Sequence, residues 1–190
     1  MIRGIILASG FSRRMKKDKL LMEIDGVKMV EKVIQESSIS QLDQVILIYR
    51  SEEVRKIGDK YGVKTLYNPN AHLGQSAGVK IGVEESGNAD AYMFLMGDQP
   101  FINSKLIDKL IYQYRKSSST IIVPCYNGRN GTPTIFSSIH RDELLNIQGD
   151  KGGRDIIKKN PSAVMKVHID DEQLGLDIDT PVDFKSIEGK

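Results

Sequence analysis

The 190-residue sequence contains no tryptophan, one cysteine and three histidines, and aromatic residues make up only 6% of it. The single Cys125 excludes an intramolecular disulfide framework and any zinc site built from several cysteines. His72, His140 and His168 lack the spacing of a metal site. Neither sign of charge is in excess, since 27 Lys and Arg face 25 Asp and Glu for a net +2. A generic polyanion binder carries a much larger basic surplus, so no nucleic-acid partner is expected. No apolar run approaches the ~18 residues of a membrane span. The opening run Gly4-Ile5-Ile6-Leu7-Ala8 is too brief for a secretory core. A cytoplasmic protein with no membrane partner is the expectation.

What the chain does contain is an alternation of short apolar runs with helical patterns, and 39% of its residues are apolar. One domain of this size buries roughly 70% of its unfolded surface and folds without a metal or disulfide staple. Ile5 to Leu7, Val45 to Tyr49, Val63 to Tyr67, Ala91 to Met96 and Ile121 to Val123 are the expected strands. Val27 to Ile34, Val54 to Tyr61, Gly78 to Glu85 and Leu106 to Tyr114 carry helical spacing. This rhythm over 1–124 predicts an α/β protein, a three-layer Rossmann-like arrangement around a mostly parallel sheet. Beyond it, Pro133 to Phe136 is expected as an edge strand, because proline tolerates an edge. Residues 125–170 are expected to form a lobe over the sheet that holds a second substrate, and 171–190 a C-terminal return to the sheet. Thr180-Pro181-Val182-Asp183 predicts a capped helix start. His72 and His140 are expected in surface or capping roles, His168 facing solvent, and Cys125 as a small core or pocket-wall residue.

Ligands of such sheets bind beyond the carboxyl ends of the strands. That rule singles out residues 8–19, 97–100 and 177–180. The first loop has small residues that allow close backbone approach, and from 13 to 19 it carries five cations and one anion. It is not a Walker A loop, because no Gly-Lys-Ser/Thr triplet closes it, nor a dinucleotide fingerprint. The charges alone fit a solvated turn equally well; the position after the first strand favours a phosphate ligand. Asp98 ends the fourth strand, where a carboxylate suits Mg²⁺, which takes one or two protein carboxylates plus phosphate oxygens. Asp177 and Asp179 offer two more and would share a face if the segment were a strand. Asp179 is the favoured second ligand.

These residues together resemble a known signature. Leu7-Ala8-Ser9-Gly10, Arg14-Met15, Lys19-Leu20-Leu21, Asn68-Pro69, Gly74, Gly97-Asp98-Gln99-Pro100, Gly149-Asp150-Lys151-Gly152-Gly153-Arg154 and Asp177 to Asp183 follow the order seen in nucleotidyltransferases that act on the molybdenum cofactor. The pattern is most similar to the cytidylyltransferase branch. Guanylyltransferase relatives usually carry two glycines where Ser9-Gly10 stands. The resemblance implies the nucleotide-diphospho-sugar transferase fold, with 1–124 as the nucleotide-binding half. It implies a nucleotide site of Leu7, Ala8, Ser9, Gly10, Arg14, Lys19, Asn68, Gly74 and Asp98, with Arg14, Lys19 and Asp98 catalytic. Mg²⁺ (or Mn²⁺) is implied on Asp98 and Asp179, and acceptor binding at Gly131, Gly149, Asp150 and Arg154. The implied partners are CTP (or GTP), molybdopterin or molybdenum cofactor, and an acceptor molybdenum hydroxylase.

Three residues depart from the family pattern. Thr132 replaces the usual His or Asn in the acceptor region, Gly78 stands where Ser is common near the base or ribose, and Lys16 replaces a loop Gly. In the implied reaction the nucleophile is a phosphate monoester oxygen, already ionised near neutral pH, so no protein general base is needed. Cations must offset the meeting of two anions. Alternatives are a guanylyltransferase, a sugar-phosphate or alditol-phosphate nucleotidyltransferase, and a non-enzymatic cofactor chaperone. The last has no use for a triphosphate site made of Arg14, Lys19 and Asp98.

Overall fold

The computed structural model describes residues 1–12, 15 and 17–187. In chain order the elements are β1 (Ile2–Ala8), β2 (Glu23–Ile24), β3 (Val27–Lys28), α1 (Met29–Ser38), β4 (Gln44–Tyr49), α2 (Glu52–Lys60), β5 (Lys64–Tyr67), α3 (Gln75–Glu84) and β6 (Ala91–Met96). They continue with α4 (Ser104–Lys116), β7 (Ile121–Tyr126), β8 (Arg129–Asn130), β9 (Thr134–Ser137), α5 (Arg141–Leu145), α6 (Arg154–Lys159), β10 (Val164–Ile169) and α7 (Pro181–Ile187).

The main sheet runs β10-β7-β9-β6-β1-β4-β5, with β8 paired to β7. Six of the seven strands along this path are parallel; β9 runs against β6 and β7. Alternate residues of β1 enter opposite layers, as a pleated strand requires. Ile6 packs with Val30, Val33 and Ile34 of α1 and with α2 and α4, whereas Ile5 packs with Val79 and Val83 of α3. Both are fully buried, which explains the unbroken apolar run. The result is the expected three-layer α/β architecture.

Helix α3 begins three residues before the predicted start. Its glycines weaken a helix in isolation, yet here they are contact points. A Cβ on Gly82 would stand 2.5 Å from Ile5 Cγ2, and one on Gly78 would stand 3.3 Å from Leu7 Cδ2. The helix therefore lies close against β1.

The predicted edge strand is an interior one. Thr134–Ser137 pairs on both sides, with β6 and with β7, and Ile135 and Phe136 are buried. Pro133 precedes the strand, so its missing N–H removes no ladder bond. Residues 125–170, expected as a lobe over the sheet, instead add β8, β9 and β10 to it, while α5 and α6 cover the α3 face. The segment 177–180 is not a strand, so the face-sharing of Asp177 and Asp179 does not arise from strand alternation. It meets the sheet through Ile178, whose amide donates to the Asp98 carbonyl at 3.1 Å.

Helix α7 has the predicted start. The Asp183 amide donates to Thr180 Oγ1 at 3.2 Å and Asp183 Oδ2 accepts from the Thr180 amide at 2.8 Å. These bonds hold the Asp183 carboxyl below the usual range, the Thr180 contacts leading. His168 is exposed and Cys125 half-buried. His140, expected in a surface or capping role, stands at the N-cap position of α5 but is 5% exposed, so the surface half of that expectation fails. Its ring nitrogens lie 2.9 Å from Thr120 Oγ1 and 2.7 Å from Glu143 Oε1, so it ties β7 to α5.

Candidate active site

From β1 the chain winds outward through β4 to β5, then crosses back to place β6 on the other side of β1. This reversal leaves a crevice above the carboxyl ends of β1 and β6, the position at which open α/β sheets bind ligands. Leu7 and Met96 are paired there. A cleft of about 630 Å³ occupies the crevice and collects residues far apart in sequence. Ser9, Gly10 and Lys19 come from the first loop, Gly74 and Gln75 from the start of α3, and Asp98 from the end of β6. Asp150 comes from the turn before α6, Arg154 from the first position of α6, and Asp177 and Asp179 from the C-terminal segment. A larger hollow of about 770 Å³ lies between α5 and α6 and includes Asp142, Glu143 and Lys159. It contains none of the predicted phosphate or metal residues, so the smaller cleft is the candidate site.

The loop is folded back by its own polar groups. Asp18 Oδ1 accepts from the Leu20 amide at 3.2 Å, and Ser12 Oγ accepts from the Lys19 amide at 3.2 Å. Arg50, immediately after β4, lies 3.4 Å from Asp18 Oδ2 and 4.8 Å from the centre of the Phe11 ring. It braces the loop from outside. Arg50 was not singled out from the sequence, although it directly follows a buried strand, as Asp98 nearly does.

Lys19 is buried between two acids. Its Nζ stands 2.6 Å from Asp98 Oδ2 and 2.5 Å from Asp179 Oδ1. Burial pulls the ammonium pKa down, but the charges and hydrogen bonds of Asp98 and Asp179 outweigh it, so the net shift is upward and Lys19 stays protonated. Asp177 completes the cluster. Its pKa is pushed up to about 6, first by loss of solvation of the carboxylate and then by the negative charges of Asp98 and Asp179. Asp177 is an exposed residue that lines the cleft.

Asp98 Oδ1 is buried and has no hydrogen-bond partner among the described residues. A hard anionic oxygen left unpaired in this way is costly unless something meets it. Asp98 and Asp179 thus fit a divalent cation that draws its other ligands from phosphate and water. Among the described residues no three His, Cys, Asp or Glu side chains form a complete metal site by themselves.

The other predicted residues divide into those on the cleft and those behind it. Leu7, Ser9, Gly10 and Gly74 line it; Ala8 is buried in the core. Asn68 is 1% exposed and stands behind Ser9, donating from Nδ2 to Ser9 Oγ at 2.9 Å. Gly131 packs against the Tyr126 ring, and Gly149 faces the other hollow. Arg14 and Lys16 lie outside the described residues. Gln99 was missed as a contact residue. It is 2% exposed, accepts from Thr132 Oγ1 at 2.8 Å, donates to the Gly175 carbonyl at 3.2 Å, and hydrogen-bonds Asp177. The departure at Thr132 is thereby connected to the acidic cluster.

A mostly parallel three-layer sheet with a basic loop and an acidic pair at its switch point defines the class of α/β nucleotidyltransferases. Residues 4–164 match the family model of the MobA-like NTP transferase domain, and the chain belongs to that family. The chain is 33% identical to a "Probable molybdenum cofactor guanylyltransferase" of Natranaerobius thermophilus over 152 residues, covering 74% of this chain and 67% of the relative. It is 28% identical to the purine catabolism protein PucB of Bacillus subtilis over 198 residues, covering 97% and 94%. Among solved structures, the manganese complex of Rv0371c from Mycobacterium tuberculosis H37Rv superposes with a TM-score of 0.82 at 21% identity, covering 98% of this chain and 97% of that one.

Proposed function

We propose that this nucleotidyltransferase joins the CMP moiety of CTP to the terminal phosphate of molybdopterin or its molybdenum form, releasing pyrophosphate. The observation that carries the reading is the convergence, in one cleft, of Ser9 and Gly10, Lys19 with Asp98 and Asp179, and Asp150 with Arg154. The first group suits a base, the second a triphosphate, and the third an anionic acceptor.

An oxygen of the acceptor phosphate attacks the α-phosphorus of CTP. The new P–O bond forms as the bond to the β-phosphate bridge breaks, and pyrophosphate leaves with the electron pair. A divalent cation on Asp98 and Asp179, Mg²⁺ or Mn²⁺, supplies Lewis-acid polarisation of the phosphate oxygens. Manganese in a structure of the same fold supports that chemistry. Lys19 meets triphosphate oxygens with a compact ammonium, Arg14 adds a planar cation, and Arg154 orients the acceptor phosphate. No group on the cleft has to take a proton from the nucleophile.

A second reading, transfer of GMP from GTP, draws support from the relative named as a guanylyltransferase. The side chain of Ser9 on the cleft favours the smaller pyrimidine. The test is pyrophosphate release from CTP, GTP, ATP and UTP with molybdopterin as acceptor, in the wild type and in Ser9→Gly. A CTP preference that moves toward GTP in Ser9→Gly is expected, by about 10–200-fold at most for one pocket contact. A wild type that prefers GTP refutes the cytidylyl reading. Turnover with sugar phosphates but not with molybdopterin refutes the acceptor.

A further inference from the structure

Asn68 is a deeply buried amide that touches a side chain on the cleft, Ser9, without lining the cleft itself. Its orientation is determined by a backbone group. The Asn70 amide donates to Asn68 Oδ1 at 3.0 Å. A backbone N–H can only donate, so the atom facing it is the amide oxygen. The other end of the side chain is then the NH₂ group, and it donates to Ser9 Oγ at 2.9 Å.

A serine hydroxyl has one proton and two lone pairs. A lone pair is engaged by Asn68, and among the described residues the Ser9 proton meets no acceptor. Ser9 lines the cleft beside the first loop. The direction of the chain is therefore Asn70 N–H to Asn68, Asn68 to Ser9, and Ser9 O–H toward whatever fills the cleft.

We infer that Asn68 is a specificity-determining residue that acts through Ser9: it presents the Ser9 hydroxyl as a donor, selecting a base with a ring-nitrogen acceptor at its Watson–Crick centre. Resting on the cytidylyl reading above, the base is cytosine, whose N3 is a bare acceptor. Uracil has the same size and shape but carries N3–H, which would oppose the Ser9 proton. A site built to hydrogen-bond its ligand rejects an analogue that leaves the bond unmade.

The experiment measures equilibrium dissociation constants of CTP, UTP and 3-deaza-CTP by isothermal titration calorimetry without acceptor. The proteins are the wild type, Ser9→Ala and Asn68→Asp. In Asn68→Asp one carboxylate oxygen still accepts from the Asn70 amide, but the other accepts from Ser9. The hydroxyl then turns its proton inward and its lone pairs toward the ligand. The added charge weakens CTP and UTP alike, because both carry the same triphosphate, so their ratio isolates the polarity.

The wild type is expected to bind CTP at least about tenfold more tightly than UTP or 3-deaza-CTP, the size of one ligand hydrogen bond. In Ser9→Ala the three should converge, and in Asn68→Asp the ratio should reverse toward UTP. Equal binding of CTP and 3-deaza-CTP by the wild type overturns the inference even if Asn68→Asp does not fold. An Asn68→Asp protein that leaves the CTP-to-UTP ratio unchanged also overturns it. If the wild type binds neither CTP nor UTP, the cytidylyl reading fails and this inference with it, whereas binding of both without preference refutes only the polarity assigned to Ser9.

Discussion

Replacing Lys19 by methionine keeps the apolar stem and removes the ammonium from between Asp98 and Asp179. Its magnitude follows from the two contacts. The Asp98 contact, 2.6 Å between side chains 11% and 15% exposed, is a charge-assisted bond in a shielded place; such bonds are worth about 1.5–3 kcal/mol. The Asp179 contact, 2.5 Å with the acid 48% exposed, counts for less; screened pairs contribute about 0–1 kcal/mol. Relief of the buried ammonium's desolvation offsets part of both. The net expectation is about 1–2 kcal/mol of lost stability, or roughly 2–8 °C in Tm for a domain of this size. Three carboxylates are then left without their internal cation. Mn²⁺ or Mg²⁺ should therefore raise the Tm of Lys19→Met more than that of the wild type, while pyrophosphate release falls by about 10²–10³-fold for loss of a transition-state donor. Thermal denaturation with and without MnCl₂, followed by the pyrophosphate assay, tests both halves. A variant as stable as the wild type and no more responsive to Mn²⁺ would refute the assignment of Lys19 as the internal counter-ion of the acidic cluster.

Three further outcomes are expected. Asp98→Asn should abolish metal-dependent turnover while leaving the circular-dichroism spectrum and solubility unchanged, since Asp98 lies beyond the end of β6; near-wild-type turnover contradicts the metal assignment. Asp177→Asn should stabilise the protein at pH 7–8: the folded-state pKa of about 6 lies above the ordinary aspartate value of 3.8, so the charged form is a liability at neutral pH. That advantage should fade as pH falls through 6 toward 4, because the folded wild type takes up the proton, and denaturant melts across this window would show a constant difference if the reasoning is wrong. Gly82→Ala should cost about 1–3 kcal/mol by overpacking against Ile5 Cγ2, where the Cβ would stand at 2.5 Å, whereas Gly78→Ser, with its nearest neighbour at 3.3 Å, should melt within a few degrees of the wild type; equal melting temperatures would show that α3 is free to shift.

Much of the layer structure was legible because its causes are local. Ile5 and Ile6 form an unbroken apolar run because the strand is buried on both faces, and Thr180 with Asp183 spells a helix start through its own side-chain bonds. Asp98 was found by a rule of topology, that ligands gather at carboxyl ends of strands. The position of β9 was not legible, because pairing between β6 and β7 is a long-range choice that the alternation of four residues does not record. The burial of His140 depends likewise on Thr120, twenty residues away. Asn68 was expected to contact base and ribose, but it stands behind Ser9, and nothing in Asn68-Pro69 shows that Ser9 lies in front of it. Arg50 and Gln99 touch the site through contacts of 32 and 33 residues' separation, which spacing cannot show.

The loop and the turn expected to bind different substrates are held apart by one rigid piece, α3. Its first residues fit under the 149–152 turn. The Gln75 amide donates to Asp150 Oδ1 at 3.1 Å, and Gly74, at φ +94°, leaves no room for a Cβ, which would stand 2.4 Å from that same oxygen. At its other end Gly82 allows no slack against Ile5 of β1, the strand whose end carries Ser9. Gln75 also reaches Met96 Sδ at the end of β6, at 3.2 Å. A helix fastened at both ends cannot tilt without breaking packing that is close to solid density. The distance between Ser9 and Asp150 is therefore fixed by the core. A cleft of fixed width suits the proposed transfer, which must align two phosphates in line.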